Sequence, residues 1–127
     1  MSETLLSRGG TTVRLLVAEP STTLLELELE PGSGAGPHVH TREDETIAVV
    51  AGRLAVDDGA VHELLAGDAV FLRRGVRHSF ANDGGETVRA YVFCTPGGLE
   101  RFFGAVARAE SDADVAAAAE RAGLAFG

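Results

Sequence analysis

The sequence predicts an all-β domain, a sandwich or barrel, with two short helices at its C-terminal end. Three observations predict this class: short apolar or alternating segments follow one another closely, glycine-rich turns separate them, and no ten-residue helical pattern lies between them. The last observation disfavours a parallel βαβ sheet. For 127 residues we expect a single domain, 1–127, with a barrel over about 11–96 and a helical tail over about 98–123.

The strands are predicted in chain order from alternation and turn residues. The first, Leu25–Glu30, alternates leucine with glutamate, which is typical of a strand with one buried and one wet face. The pair Asp58-Gly59 favours a tight hairpin, because glycine takes the positive φ that such turns need. The remaining predicted strands are Glu45–Ala51, Arg53–Val56, Val61–Leu65, Asp68–Leu72, His78–Ala81 and Thr87–Cys94.

The C-terminal tail changes character after the segment Thr95–Gly98. Apolar residues recur at helical spacing over 99–106, so one face of a helix can dock on the barrel. Ser111 is a suitable helix cap, and Gly123 is a suitable helix stop. We therefore predict two short helices, over residues 98–109 and 112–122.

Composition excludes several classes of function. The net charge of −8 disfavours binding to phosphate backbones, so we expect no nucleic-acid partner. No segment approaches the roughly 18 apolar residues that span a membrane, and the first ten residues lack the pattern of a signal peptide. We expect a cytoplasmic protein with no membrane partner. The single cysteine, Cys94, rules out an intramolecular disulfide, and the lack of lysine rules out Schiff-base chemistry.

Three of the four histidines and one glutamate form the candidate site. His38 and His40 are two residues apart, so on a strand both side chains point to one face. Glu45 starts the next predicted strand, and His78 opens a later one. Three imidazoles and a carboxylate suit one divalent transition metal per chain: iron, manganese, nickel, cobalt, copper or zinc. Such a set leaves coordination positions open, as a catalytic metal requires.

The same residues carry a resemblance to a known family. The fixed positions of the first cupin motif occur with the family's spacing at Gly32, His38, His40, Glu45 and Gly52. Those of the second occur at Gly67, Gly75, His78 and Asn82. Only the usual proline of the second motif differs, since Arg73 stands in its place. The tail over 95–103 is similar to the end of many small cupins of the quercetin-dioxygenase-like group.

The resemblance implies a fold, a ligand set and a mode of assembly. The fold is the cupin barrel, a jelly roll or double-stranded β-helix of two antiparallel sheets. A small-molecule substrate enters a cavity inside the barrel, and we expect a homodimer. The implied metal ligands are His38, His40, Glu45 and His78.

The substrate pocket is predicted from alternation. Ile47 and Val49 share the face of Glu45, and Phe80 lies two residues after His78. Arg89, Tyr91 and Phe93 share one face of the last strand, but alternation leaves open whether that face is inward. The candidate pocket residues are therefore Ile47, Val49, Phe80, Arg89, Tyr91 and Phe93.

Other polar residues are expected to lie outside the site. We interpret His62 as a surface histidine without a role, and Glu43 and Asp44 as solvated loop acids. A run of arginines precedes His78 and is interpreted as a solvated rim, with recognition of an anionic substrate as the alternative. These arginines are Arg73, Arg74 and Arg77.

Three functions compete for this site. The leading hypothesis is a metal-dependent, dioxygenase-like oxidoreductase acting on a small aromatic or enol substrate, with Glu45 as metal ligand and proton acceptor. The second is a non-redox cyclase, isomerase or lyase, in which the metal is a Lewis acid. The third is a cupin that binds a small molecule without catalysis. Oxygen uptake, anaerobic turnover with zinc, and binding without turnover distinguish the three.

Overall fold

The computed structural model describes residues 2–127 and contains two antiparallel sheets and two helices. The six-stranded sheet has the spatial order β1 (Glu3–Arg8), β2 (Thr11–Glu19), β3 (Thr22–Leu29), β10 (Val88–Thr95), β5 (Asp44–Ala51) and β8 (Ala69–Leu72). The five-stranded sheet has the order β11 (Leu124–Phe126), β4 (Gly34–His40), β9 (His78–Ala81), β6 (Arg53–Asp57) and β7 (Val61–Leu65). The predicted all-β class is confirmed.

The core lies between the inner faces of the two sheets. Alternation puts every second residue of a strand inside, and the fully buried side chains include Leu25 and Ile47 from one sheet and Leu54 and Val56 from the other. On β10 the inward set is apolar throughout, namely Val88, Ala90, Val92 and Cys94. Burial raises the pKa of the Cys94 thiol far above its usual range, as expected for an inert core cysteine.

Two helices close one side of the barrel, as the tail pattern predicts. They are α1 (Glu100–Arg108) and α2 (Asp112–Ala122), and α1 buries Phe102. The Ser111 side chain caps α2 by accepting a hydrogen bond from the backbone N–H of Asp114 at 3.1 Å. Within residues 2–127, neither helix is long and apolar enough to cross a membrane.

Three strands were not predicted. Two of them, β1 and the three-residue β11 after α2, lie outside the barrel expected over about 11–96, and the third, β2, lies within it. We interpreted the glycine-rich run Gly32–Gly36 as a flexible approach, but β4 already begins at Gly34. The reason is close pairing: Gly34 lies opposite Ala81 on β9, and a Cβ at Gly34 would meet the Phe80 carbonyl oxygen at 2.3 Å.

Candidate metal centre

The three histidines converge because two strands of the smaller sheet pair at their level. His38 and His40 lie on β4, and His78 lies directly opposite His38 at the start of β9. All three are buried, and one ligand nitrogen from each lies within 4.8 Å of the others. The cluster therefore brings three imidazoles to one point inside the barrel.

Glu45 completes the group from the opposite sheet. It is 4% exposed at the start of β5, and its Oε2 lies 3.2 Å from His40 Nε2 while its Oε1 lies 3.6 Å from His78 Nε2. The structure thus brings together all four residues that the sequence singled out as metal ligands. Their role as ligands remains a prediction.

Each imidazole is oriented by an acceptor on its Nδ1. His38 Nδ1 donates to the Gly36 carbonyl at 2.7 Å, and His78 Nδ1 donates to the Val76 carbonyl at 3.3 Å. His40 Nδ1 lies 2.8 Å from Glu43 Oε1. When Nδ1 carries the only proton of the ring, Nε2 keeps a free lone pair, which is the form in which histidine binds metals.

A metal ion fits this set of donors. Three buried atoms at the centre have no hydrogen-bond partner among residues 2–127: His40 Nε2, His78 Nε2 and Glu45 Oε1. Buried polar atoms are seldom left unpaired, because the lost hydration costs about 1–3 kcal/mol for each. A divalent cation at this point would satisfy all three.

The electrostatics of the centre also favour a cation. Burial disfavours the charged form of His40, but its contacts with Glu43 and Glu45 outweigh this and raise its pKa to about 9. Burial opposes ionisation of Glu45, yet the imidazoles of His40 and His78 hold its pKa at about 2. Burial lowers the pKa of His38. The two buried carboxylates therefore attract positive charge to this point, as a proton or as a metal ion.

The role of Glu43 was missed in the sequence. We interpreted it as a solvated loop acid, but it is 4% exposed and lies against His40. The interpretation is corrected because the short turn after β4 folds this side chain inward. The only feature of the sequence that could have indicated this contact is the position of Glu43, three residues after His40. By contrast, Asp44 lies near the surface and pairs with Arg74, Oδ2 to Nη2, at 3.1 Å.

A cavity of about 250 Å³ opens at the centre. Besides His38, His40 and Glu45, its walls are almost entirely apolar, with leucines from β3 and aromatic rings from β9, α1 and β11. Arg8 and Thr11 lie at its rim among these walls. The arrangement can hold an apolar organic molecule against a metal ion.

Among the predicted pocket residues, only Phe80 borders this cavity. Ile47 and Val49 do share the inward face of Glu45, but they are packed into the core away from the opening. Arg89, Tyr91 and Phe93 lie on the outer face of β10, so their assignment to the pocket was wrong. Both faces of this strand carry apolar residues, and the inward face is formed by Val88, Ala90, Val92 and Cys94.

The remaining polar residues lie away from the centre. His62 is partly exposed and forms a hydrogen bond between its Nε2 and Asp58 Oδ1 at 2.9 Å. The three arginines before His78 are exposed and do not border the cavity among the described residues, in agreement with a solvated rim. The leucines and phenylalanines of the walls were predicted only as buried faces, since a cavity depends on how the sheets and helices meet.

Similar proteins with curated names come from streptomycetes. The chain is 35% identical over 69 residues to polyketide synthase CurC of Streptomyces cyaneus, covering 54% of this chain and 45% of that protein. It is 32% identical over 94 residues to the tetracenomycin polyketide synthase protein TcmJ of Streptomyces glaucescens, covering 70% and 63%. The chain therefore spans less than two thirds of the length of these two relatives.

Solved structures show the same fold. The polyketide cyclase RemF from Streptomyces resistomycificus superposes with a TM-score of 0.64 at 28% identity, covering 73% of this chain and 72% of that one. KdgF from a Halomonas species superposes with a TM-score of 0.69 at 20% identity, covering 76% and 89%. Residues 25–94 match the Cupin_2 family, described as a cupin domain, and this chain therefore belongs to the cupins.

Proposed function

We propose that this cupin is a metal-dependent, non-redox cyclase acting on an apolar substrate that carries several carbonyl groups. One observation carries the proposal: three buried histidines and a buried glutamate with unpartnered donor atoms form one cluster, and this cluster borders an apolar cavity through His38, His40 and Glu45. The similarity to proteins named for polyketide synthesis and cyclisation supports this substrate class. It raises the cyclase above the oxygenase that we favoured from sequence.

The chemistry begins with the donors that would hold the metal, His38, His40, His78 and Glu45. A divalent cation held there would supply Lewis acidity, polarising a carbonyl oxygen and acidifying the neighbouring C–H bonds. The burial of all four side chains keeps water away from the reacting atoms. The Nδ1 hydrogen bonds hold the rings in place before the substrate arrives.

Glu45 is assigned the proton transfer. Its buried carboxylate has two oxygens at the centre, so one can hold the metal while the other takes a proton from a substrate carbon. The resulting carbanion attacks a second carbonyl of the same molecule and forms the ring. The proton held on Glu45 then passes to the new alkoxide oxygen. Charge and protons balance within the substrate, and no oxidant is consumed.

The apolar walls of the cavity determine how the substrate folds before the ring closes. A chain with several carbonyl groups can close into more than one ring, and the outcome depends on which carbon reaches which carbonyl. A cavity of about 250 Å³ restricts a flexible chain to few folded shapes. Phe80, Phe102 and Phe103 contribute flat apolar surfaces that suit a developing aromatic ring.

Metal content is the first test. We expect about one divalent ion per chain in protein purified without a histidine tag, measured by elemental mass spectrometry. His78→Ala should lose the metal. His62→Ala is the matched control, because this fourth histidine bonds Asp58 at the surface and should keep it. A wild-type protein that stays empty after reconstitution would contradict the proposal and favour a binding protein without a metal.

Turnover without oxygen is the second test. An oxygenase remains the second candidate, because three imidazoles and a carboxylate also hold redox-active ions. Synthetic aromatic polyketones would be incubated with the zinc-loaded protein under nitrogen, and products followed by mass spectrometry. Cyclised isomers or their dehydration products would support the cyclase. Product that forms only in air, with matching oxygen consumption, would overturn it in favour of the oxygenase.

A further inference from the structure

The cavity that contains the metal centre has a second polar end. Leucines, valine and phenylalanines make up most of its walls, and Arg8 is the one arginine among the described residues that border it. His38, His40 and Glu45 are the other ionisable groups that border it. A ligand filling this space therefore meets charge at the metal centre and at Arg8.

Strand register places these two groups at opposite ends of the cavity. Arg8 pairs with Thr11, and Thr11 pairs with Leu29 at the end of β3. Glu45 lies level with Thr23 at the start of β3, through their shared partner on β10. A strand rises about 3.3 Å per residue, so the backbone levels of Arg8 and Glu45 are about 20 Å apart.

The space between the two ends is apolar. Leu25, Leu27 and Leu29 point inward in succession along β3 and form one wall. Phe102 and Phe126 contribute to the walls from α1 and β11. A molecule that reaches from the metal centre toward Arg8 must therefore have an apolar body between two polar groups.

Arg8 is free to bind such a group. It takes part in none of the ion pairs of residues 2–127, whereas Arg14 and Arg89 on the same sheet both pair with Glu26. Its side chain is exposed at the cavity mouth, where it borders the apolar space. A guanidinium binds a carboxylate through two parallel hydrogen bonds, so it selects both charge and orientation.

We infer that Arg8 determines specificity by binding an anionic group, a carboxylate or an ionised enol, at the end of the substrate remote from the metal centre. This rests on the proposed function for the identity of the substrate, and it narrows that substrate to an elongated, apolar acid. Arg8 fixes which end of the molecule reaches the metal centre. It takes no part in the proton transfer assigned to Glu45.

A matched pair of ligands tests this inference. 2-Naphthoate and 2-naphthamide have the same apolar body and differ in charge, and their binding to the full chain can be measured by calorimetry. The wild type should bind naphthoate more tightly than naphthamide. Arg8→Gln should weaken naphthoate binding about tenfold, the effect of one charged hydrogen bond, and leave naphthamide binding unchanged. Arg8→Lys should retain part of the preference.

The controls separate Arg8 from other sources of charge selectivity. Arg108→Gln removes an exposed arginine that does not border this cavity, and it should change neither affinity. Repeating the titrations after dialysis against EDTA removes carboxylate binding to a metal. A naphthoate preference that survives in Arg8→Gln would overturn the inference, and so would equal losses in the two glutamine variants.

The outcome is independent of the proposed reaction, because the titrations need neither turnover nor bound metal. A protein that cyclises polyketones but shows no preference at Arg8 keeps its proposed function and refutes the inference. A protein that shows the preference at Arg8 but binds no metal supports the inference and refutes the proposed function.

Discussion

Glu43 fixes the ring of His40 from the side opposite the metal centre. Its Oε1 lies 2.8 Å from His40 Nδ1, and both side chains are buried. Removing the carboxylate frees the ring to rotate and reduces the basicity of Nε2. We therefore expect Glu43→Gln to weaken metal affinity about tenfold, measured by competition with a chelator of known affinity.

A surface carboxylate provides the comparison for Glu43. Glu63 is exposed and its Oε1 lies 3.6 Å from Arg53, so Glu63→Gln should leave metal affinity unchanged. Circular dichroism of both variants would check that the fold is intact. Equal affinity of the wild type and Glu43→Gln would show that His40 is positioned without Glu43.

Individual residues of the centre differ in how far the sequence reveals them. His38, His40, Glu45 and His78 were singled out because their spacing fits alternating strands and a known motif. The inward orientation of the Glu43 side chain was not predicted, because a loop acid three residues from a histidine is usually solvated. The sequence also could not show that Arg89, Tyr91 and Phe93 face outward, since β10 carries apolar residues on both faces.

At the scale of elements, Gly123 joins α2 to β11, the strand that pairs with β4. It ends α2 with a φ of +73°, and its carbonyl accepts hydrogen bonds from the backbone N–H and the side chain of Thr41. A Cβ here would meet Thr41 Oγ1 at 2.5 Å and Arg42 Cγ at 3.0 Å. Both the backbone conformation and the close contact require glycine at this position.

Gly123→Ala should accordingly lower the free energy of unfolding by about 1–3 kcal/mol, measured by urea denaturation. Gly85→Ala is the control, because Gly85 has no positive φ and nothing lies within 4 Å of its added Cβ. That change should stay within about 0.5 kcal/mol. If the two variants were equally stable, the αL cap and the contact with Thr41 would contribute nothing measurable.

Elements were predicted best where local pattern decides their structure. The leucine–glutamate alternation of β3, the Asp-Gly hairpin between β6 and β7 and the capped helix α2 all follow from neighbouring residues. The strand β11 did not, because its three residues form a strand only by pairing with His38–His40 on β4. Its pairing depends on a tertiary contact that no short segment encodes. The pairing of β1 with β2 is local, through a hairpin turn at Gly9-Gly10 in which both glycines have positive φ, and this turn was overlooked in the sequence.

For the whole molecule, the candidate metal ligands come from both sheets. His38, His40 and His78 come from one sheet and Glu45 from the other, so a bound ion would join them across the core. The preformed site exists only in the folded state. A free metal concentration of 100 times the Kd should therefore raise the free energy of unfolding by about 2.7 kcal/mol. For this size we expect a rise in Tm on the order of 10 °C.

Differential scanning calorimetry with and without EDTA would measure this shift. His78→Ala should melt at the same temperature with and without added metal, whereas His62→Ala should retain the wild-type response. A shift that persists in His78→Ala would place the stabilising metal elsewhere on the protein.

The outer face of the six-stranded sheet carries an apolar row that favours self-association. Cross-strand pairing aligns Val17, Leu24, Phe93 and, beyond Thr46, Phe71. Phe93 is 46% exposed and Phe71 56% exposed, although nothing in the metal centre needs them on this face. Contiguous exposed apolar surface is typical of a protein–protein interface. The homodimer implied by the family resemblance is therefore predicted to form through this sheet.

Light scattering coupled to size-exclusion chromatography would test the dimer. We expect a wild-type mass of two chains and a single-chain mass for the double variant Phe71→Ser, Phe93→Ser, because the apolar row would no longer exclude water. Val61→Ser is the control, since Val61 is 75% exposed on the other sheet and its loss should leave the dimer intact. A wild-type monomer would refute the dimer, and a dimer that survives the double serine variant would place its interface on another surface, such as the exposed edges of β8 or β7.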